Sequence, residues 1–215
     1  MNIAQIIDHT NLKPDATRAD IKKLCDEAKK YGFAAVCVNP CNVAFAAREL
    51  AQSEVKVCAV CGFPLGANTT RVKVFEAKEA VLDGANEIDM VINIGKLKEK
   101  EYEQVLYDIK AVVDAVSCPV KVIIETCLLT PLEIKMACAL VKESGAAFIK
   151  TSTGFSEAGA KIEDVAFMRA ELGDALGIKA AGGIHTFAFA KALIDAGANR
   201  IGASKSIEIC KGNRK

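Results

Sequence analysis

The feature that most constrains the fold is a repeated alternation between short strand-like runs and longer helix-like stretches. Amphipathic stretches such as ADIKKLCDEAKKYG and TRVKVFEAKEAVLDGA end in or near glycine, as a helix C-cap would. The runs between such stretches are rich in β-branched and small apolar residues, and there are eight of them: IAQIIDHT, FAAVCVN, VKVCAVCG, EIDMVIN, VKVIIET, AAFIKT, IKAAGG and NRIGAS. Strands that alternate with helices form parallel sheets, and eight such units close a barrel. We therefore predict the α/β class, with a single (β/α)8 TIM barrel in one domain over residues 1–215.

Alternation along each run predicts which side chains point into the barrel. The apolar residues of a run share one face, which packs against the surrounding helices, so the opposite face lines the lumen. A purely structural lumen is filled by layers of Val, Ile and Leu, and buried charges there are costly unless they are paired. The charged residues predicted for the lumen are Asp89, Lys121, Glu125, Lys150 and Lys179. Their joint placement indicates a function.

Lys150 ends the apolar run AAFIK and directly precedes the segment TSTG. A single strand lysine is more often an end-of-strand residue whose amine reaches water. Lysine with an ordinary pKa of ~10.4 is a poor nucleophile near pH 7, but burial beside another cation favours the neutral amine that forms Schiff bases. We predict Lys150 as this nucleophile and Lys179, at the carboxyl end of the next predicted strand, as the neighbouring cation. Asp89 is then the predicted proton relay.

Two glycine-containing segments follow the last two predicted strands. Gly182 and Gly183 come after the seventh run, and Gly202 and Ser204 come after the eighth. These are the loops that often bind a phosphate in barrel enzymes, through backbone N–H groups that glycine leaves accessible. Gly154 is expected to add a further amide. The sequence therefore predicts a phosphorylated small molecule as ligand.

Composition narrows the class of partner. The 28 basic and 27 acidic side chains give a formal net charge of +1 and are spread along the chain, which does not favour binding to nucleic acid or a membrane surface. The start of the chain does not resemble a signal peptide. Nine cysteines, an odd number in apolar runs, are typical of buried small residues in a reducing compartment. We expect a small-molecule sugar phosphate partner, no nucleic acid, no membrane and a cytoplasmic location; a homodimer is a further expectation, because barrel enzymes often form one.

One motif suggests a different chemistry. Cys58 and Cys61 form a CxxC pair, but a zinc site would need a second pair of ligands, and His9 and His185 do not supply metal-ligand spacing. We predict no metal and no cofactor, and keep a cysteine-based redox or metal-binding module as the alternative from another class.

Ordered motifs along nearly the whole chain resemble the deoxyribose-phosphate aldolase family: DHTNLKPDAT, VCVNP, GFPLGA, EIDMVINIGKLK, VKVIIET, KTSTGF, KAAGGI and RIGAS. The resemblance implies a metal-independent (β/α)8-barrel aldolase that reversibly cleaves 2-deoxy-D-ribose 5-phosphate to D-glyceraldehyde 3-phosphate and acetaldehyde. It implies Lys150 as the Schiff-base lysine, Lys179 as the second lysine and Asp89 as the proton relay. The phosphate loops implied by the resemblance comprise Gly154, Gly182, Gly183, Gly202 and Ser204.

Two positions depart from the family pattern. His185 stands where Arg is common, and Lys205 stands where a second Ser is common. A lysine there replaces a hydroxyl donor by a mobile point charge. We expect Lys205 to contact the phosphate, with a solvated loop lysine as the alternative, and we expect His185 to be a rim or surface residue.

Two other functions are compatible with the sequence. Another Schiff-base aldolase or transaldolase would use the same lysine on a different sugar phosphate, which substrate screening would separate. A phosphate-ligand sensor would bind sugar phosphates without turnover.

Overall fold

A computed structural model describes residues 2–212, and its centre is a closed barrel of eight parallel strands in sequence order. Each strand pairs with the next, and the last pairs with the first. This confirms the predicted (β/α)8 barrel, because each predicted run overlaps one strand. The strands are β1 (Ile7–Asn11), β2 (Ala35–Val38), β3 (Lys56–Cys61), β4 (Glu87–Val91), β5 (Val120–Ile123), β6 (Phe148–Lys150), β7 (Gly177–Ala181) and β8 (Arg200–Ala203).

Helices surround the barrel. They are α1 (Arg18–Tyr31), α2 (Val43–Leu50), α3 (Thr70–Leu82), α4 (Ile94–Lys98), α5 (Tyr102–Ala115), α6 (Pro131–Glu143), α7 (Ile162–Leu172), α8 (Phe187–Asp195) and α9 (Ser206–Gly212). Short 3-10 turns cover Ile3–Ile6, Pro40–Asn42 and Thr126–Leu128, so the first half of the run IAQIIDHT is a turn of 3-10 helix rather than strand. Within residues 2–212, no helix combines the length and the apolar character that crossing a membrane requires.

Local sequence signals set the helix ends. Thr17 caps α1 by accepting from the backbone N–H of Asp20, whose carboxylate accepts from the Thr17 N–H in return. This capping box stabilises a helix start by about 1 kcal/mol. Gly32 ends the same helix in the left-handed conformation at φ 68°, which glycine adopts without strain. These two signals fix where α1 begins and ends between β1 and β2.

Two apolar regions flank the strands. The larger core lies between barrel and helices and contains Ile88 and Met90, as the alternation predicted. The smaller lies inside the barrel on the side of β1–β3 and comprises Leu12, Ala35, Cys37, Cys58 and Val60, with Phe63 packed against it. The interior is therefore apolar along β2 and β3, and the charged residues come from β1 and from β4 to β8.

Candidate active site

The buried carboxylate of Asp89 is the centre of the charged half of the barrel. Its Oδ2 accepts hydrogen bonds from Lys150 Nζ at 2.7 Å and Lys179 Nζ at 2.7 Å. Its Oδ1 accepts from Lys121 Nζ at 2.9 Å. The structure thus brings together the three predicted catalytic residues. Because Lys150 Nζ and Lys179 Nζ both contact Oδ2, the distance between the two nitrogens cannot exceed the sum of these two contacts.

Strand register explains this convergence. Lys150 is the last residue of β6 and pairs in register with Lys179 of β7. Lys179 lies at the middle of its strand, not at the carboxyl end as the sequence suggested, because β7 continues to Ala181. Lys150 is 3% exposed and Lys179 is fully buried beside it.

A second layer of ion pairs surrounds the lysines, and the sequence analysis assigned no role to its members. Asp8 of β1 accepts from Lys179 through Oδ2 and from Arg200 at 2.7 Å through Oδ1. Glu87 contacts Lys121 at 2.6 Å and Arg200 at 3.1 Å. The only sequence signal for a role of Asp8 is its position in the first strand run. Its partners Lys179 and Arg200 belong to β7 and β8, which closure of the barrel brings next to β1.

The charges of this cluster do not balance. Its four cations are Lys121, Lys150, Lys179 and Arg200, and they face three carboxylates. Lys121, Lys179 and Arg200 each have at least two carboxylate partners. Lys150 has one within the described residues, and it shares that oxygen with Lys179. Lys150 is therefore the cation with the fewest carboxylate contacts in a cluster that carries one excess positive charge.

The same network fixes the charge state of its other members. Burial alone would raise the pKa of Asp89, but the three lysines hold this pKa well below its ordinary value. Likewise the pKa of Asp8 falls to about 2, because Lys179, Lys121 and Arg200 outweigh burial. Burial would lower the pKa of Lys179, yet Asp8 and Asp89 raise it. Near neutral pH, Lys179 is therefore a fixed cation and Asp89 a fixed anion.

The CxxC pair does not form a chelating site. Cys58 and Cys61 are three residues apart on β3, so their side chains point to opposite faces. Cys58 Sγ donates to Asp89 at 3.0 Å inside the barrel, whereas Cys61 Sγ donates to the Lys73 carbonyl outside it. Ligand atoms of Cys37, Cys58 and Asp89 do lie within 4.8 Å of one another. However, the carboxylate among them already pairs with the three lysines, which repel a metal cation.

An open cavity of about 630 Å³ lies above the lysines at the carboxyl end of the strands. Seven of the nine predicted site residues line it: Lys150, Gly154, Gly182, Gly183, Gly202, Ser204 and Lys205. Lys179 and Asp89 are buried beneath. A ligand in the cavity can thus reach one buried amine directly, that of Lys150, while its other end meets the glycine loops.

Glycine is favoured in these loops for two different physical reasons, backbone conformation and space. Gly154, Gly182 and Gly183 have positive φ values of 85°, 88° and 73°. At Gly202, a Cβ would lie 3.1 Å from Cε of Lys179, so its absence leaves room for that lysine. Gly202 therefore shapes the catalytic cluster as well as the cavity.

The two residues that depart from the family pattern lie at the rim. His185 and Lys205 are exposed and line the cavity. The amine of Lys205 is 3.7 Å from Glu208, with both side chains more than half exposed. A weak, solvated pair of this kind leaves Lys205 able to turn toward an anionic ligand.

Glu125 differs from the sequence expectation. Alternation placed it with the lumen lysines, but its carboxylate instead accepts from the backbone N–H of Thr153 at 3.1 Å and from the Thr153 hydroxyl. The physical reason is the backbone of Glu125, which has φ 55° and so leaves the strand geometry after β5. The residue supports the segment after Lys150 rather than the ion cluster.

Comparison with known proteins agrees with this geometry. The family described as DeoC/LacD family aldolase matches residues 2–212. Deoxyribose-phosphate aldolase of Clostridium perfringens (strain SM101 / Type A) is 59% identical over 98% of this chain and 95% of its own length. That of Enterococcus faecalis is 56% identical over 99% of this chain and 97% of its own length. A solved tetrameric deoxyribose phosphate aldolase of Aeropyrum pernix superposes with a TM-score of 0.93 at 31% identity, covering 99% of this chain and 91% of that one. The chain belongs to the DeoC/LacD family of aldolases.

Proposed function

We infer that this protein is a deoxyribose-phosphate aldolase, a class I carbon–carbon lyase. It reversibly cleaves 2-deoxy-D-ribose 5-phosphate to D-glyceraldehyde 3-phosphate and acetaldehyde. The observation that carries this inference is the pair Lys150 and Lys179 on one carboxylate oxygen of Asp89, with Lys150 alone of the three facing the cavity. The names of the two bacterial relatives support the same substrate.

The reaction follows from one neutral amine. Lys150 Nζ attacks the C1 aldehyde of the open-chain sugar to give a carbinolamine, which loses water to form an iminium ion. The iminium draws the electrons of the C2–C3 bond as the C3 hydroxyl gives up its proton. Glyceraldehyde 3-phosphate leaves, and an enamine remains on the lysine. Protonation at C2 and addition of water then release acetaldehyde and restore the amine.

Asp89 and Lys179 serve this sequence from below the cavity. The Lys179 ammonium supplies a fixed positive charge beside the amine of Lys150 that attacks the substrate. Asp89 orients both nitrogens through Oδ2 and relays protons between them and the carbinolamine oxygen. Because the pKa of Asp89 is held low, it takes up a proton only transiently and returns it at once.

The phosphate end of the substrate meets the loops after β6, β7 and β8. Backbone N–H groups around Gly154, Gly182, Gly183, Gly202 and Ser204 are the proposed donors, and Lys205 adds a charge. These residues line the same cavity as Lys150. The geometry fits a chain whose aldehyde carbon is at the buried amine and whose phosphate is at the rim.

Three wider expectations belong to the proposal. A single domain over residues 1–215 is proposed, and the one closed barrel within residues 2–212 supports it. The protein acts in the cytoplasm, consistent with nine cysteines that form no disulfide within residues 2–212. It self-associates, with a homodimer as the first candidate, because large apolar side chains such as Phe75 and Leu82 are 66% and 80% exposed on α3.

The test is product identity. Incubation with 2-deoxy-D-ribose 5-phosphate should yield equal amounts of acetaldehyde, measured by reduction with alcohol dehydrogenase and NADH, and glyceraldehyde 3-phosphate, measured in a separate sample by oxidation with its NAD+-dependent dehydrogenase. Lys150→Arg should yield neither, because guanidinium stays protonated. Cleavage of a ketose phosphate in preference to this substrate would identify another Schiff-base aldolase, and binding without products would identify a sensor.

A further inference from the structure

Glu125 is a buried residue held in an unusual backbone conformation beside the proposed nucleophile. Its φ of 55° lies in the left-handed region, which costs free energy for a residue other than glycine, and its side chain is only 2% exposed. The next residue, Thr126, has a buried hydroxyl without a protein partner among residues 2–212. Strain of this kind persists where surrounding contacts fix it, and it clusters at functional sites.

Within residues 2–212, the side-chain hydrogen bonds of Glu125 all go to Thr153. One carboxylate oxygen accepts from the Thr153 backbone N–H at 3.1 Å, and the other accepts from the Thr153 hydroxyl. The hydroxyl oxygen in turn accepts from the backbone N–H of Phe155 at 3.0 Å. Thr153 lines the cavity that also contains Lys150 and Gly154.

These bonds fix the polarity of the Thr153 hydroxyl. A hydroxyl has one proton and two lone pairs, and a carboxylate only accepts. The proton of Thr153 must therefore point to Glu125, and one lone pair is taken by Phe155. The remaining lone pair can only accept a hydrogen bond, so this position of the cavity selects a donor.

We propose that Glu125 is a positioning residue that fixes the Thr153 hydroxyl as an acceptor for the C4 hydroxyl of the sugar phosphate. This proposal rests on the proposed function. Thr153 lies between Lys150, which bonds to C1, and Gly154, which is placed at the phosphate, so it faces the middle of the bound chain. The C3 hydroxyl is the group that reacts, which leaves the C4 hydroxyl as the donor. In the synthetic direction, the C4 hydroxyl of the product comes from the 2-hydroxyl of the acceptor aldehyde. The contact with Thr153 therefore sets a preference for 2-hydroxy aldehydes as acceptors.

The experiment compares two aldehydes as acceptors in the aldol addition of acetaldehyde. D-glyceraldehyde 3-phosphate carries the hydroxyl, and 3-phosphooxypropanal is the same chain without it. Glu125→Gln keeps the shape, but its amide N–H can donate to the Thr153 oxygen and release the hydroxyl proton toward the cavity. It should lower kcat/KM for glyceraldehyde 3-phosphate by about 5- to 10-fold, the size of one hydrogen bond, and change the value for 3-phosphooxypropanal by less than about twofold.

Two matched variants make the result specific. Thr153→Val removes the hydroxyl and should give a similar loss of preference, and the double variant should lose no more than either single one, because both act through one contact. Borohydride trapping of acetaldehyde on the enzyme should be unchanged in all three. If the wild type traps no acetaldehyde, the proposed function itself fails.

Normal trapping with an unchanged acceptor preference in Glu125→Gln would overturn the role of Glu125. Equal losses with both acceptors would likewise mean that Glu125 only maintains the fold. Should Glu125→Gln not fold, an unchanged preference in Thr153→Val would overturn the proposal.

Discussion

Replacing Lys179 by Met tests whether a fixed positive charge controls the nucleophile. Lys179 and Lys150 both lie 2.7 Å from the same oxygen of Asp89. Two unit charges ~5 Å apart repel by about 3 kcal/mol at an effective dielectric constant of ~20. Removing this repulsion should move the pH profile of Schiff-base trapping upward by at most ~2 pH units, at 1.36 kcal/mol for each unit. Asp89 then pairs with one lysine fewer, which should shift the pH profile in the same direction.

The assay is the rate of acetaldehyde trapping by cyanoborohydride as a function of pH. In Lys179→Met, the acidic limb of this profile should move to higher pH by one to two units, to order of magnitude. Lys73→Met is the matched control, because Lys73 is also fully buried and pairs with Asp108 at 2.5 Å, but outside the barrel. It should lose stability without moving the profile. An unmoved profile in Lys179→Met, with normal kcat, would refute the electrostatic reasoning.

Three further predictions concern the relay, metals and the phosphate. Asp89→Asn should lower kcat by at least about 100-fold, because it removes both the relay and the charge that orients the lysines; circular dichroism would check folding, and a kcat near wild type would exclude the role. Exhaustive chelation and Cys61→Ala should each leave turnover intact, whereas activity that is lost and then restored by one divalent metal would indicate a metal-dependent aldolase. Lys205→Ser should raise KM for the phosphorylated sugar by about tenfold and spare unphosphorylated deoxyribose, with Lys191→Ser on α8 as the control. An unchanged ratio of the two kcat/KM values would make Lys205 a solvated loop residue.

Local sequence patterns were sufficient for the barrel and for much of the site. Period-two alternation assigned Asp89, Lys121, Lys150 and Lys179 to the lumen, because each strand has one face toward the helices and one toward the axis. The glycine loops were equally readable, since barrel topology puts the ends of β6, β7 and β8 around one cavity.

Nonlocal geometry was not readable from these patterns. Asp8 pairs with Lys179 across 171 positions of sequence, a contact that depends on barrel closure between β1 and β8. The positive φ of Glu125 was equally hidden, because that residue type does not favour the left-handed region. Alternation therefore placed Glu125 with the lumen lysines, whereas its carboxylate bonds to Thr153.

The central claim is that Lys150 forms the covalent intermediate, and reductive trapping tests it most directly. The protein is incubated with acetaldehyde and borohydride, digested, and its peptides are mapped by mass. The account predicts the mass of an added ethyl group on the peptide containing Lys150, at a site that Lys150→Ala abolishes together with turnover. An ethyl group on Lys179 or Lys121 instead, or full turnover in Lys150→Ala, would contradict it.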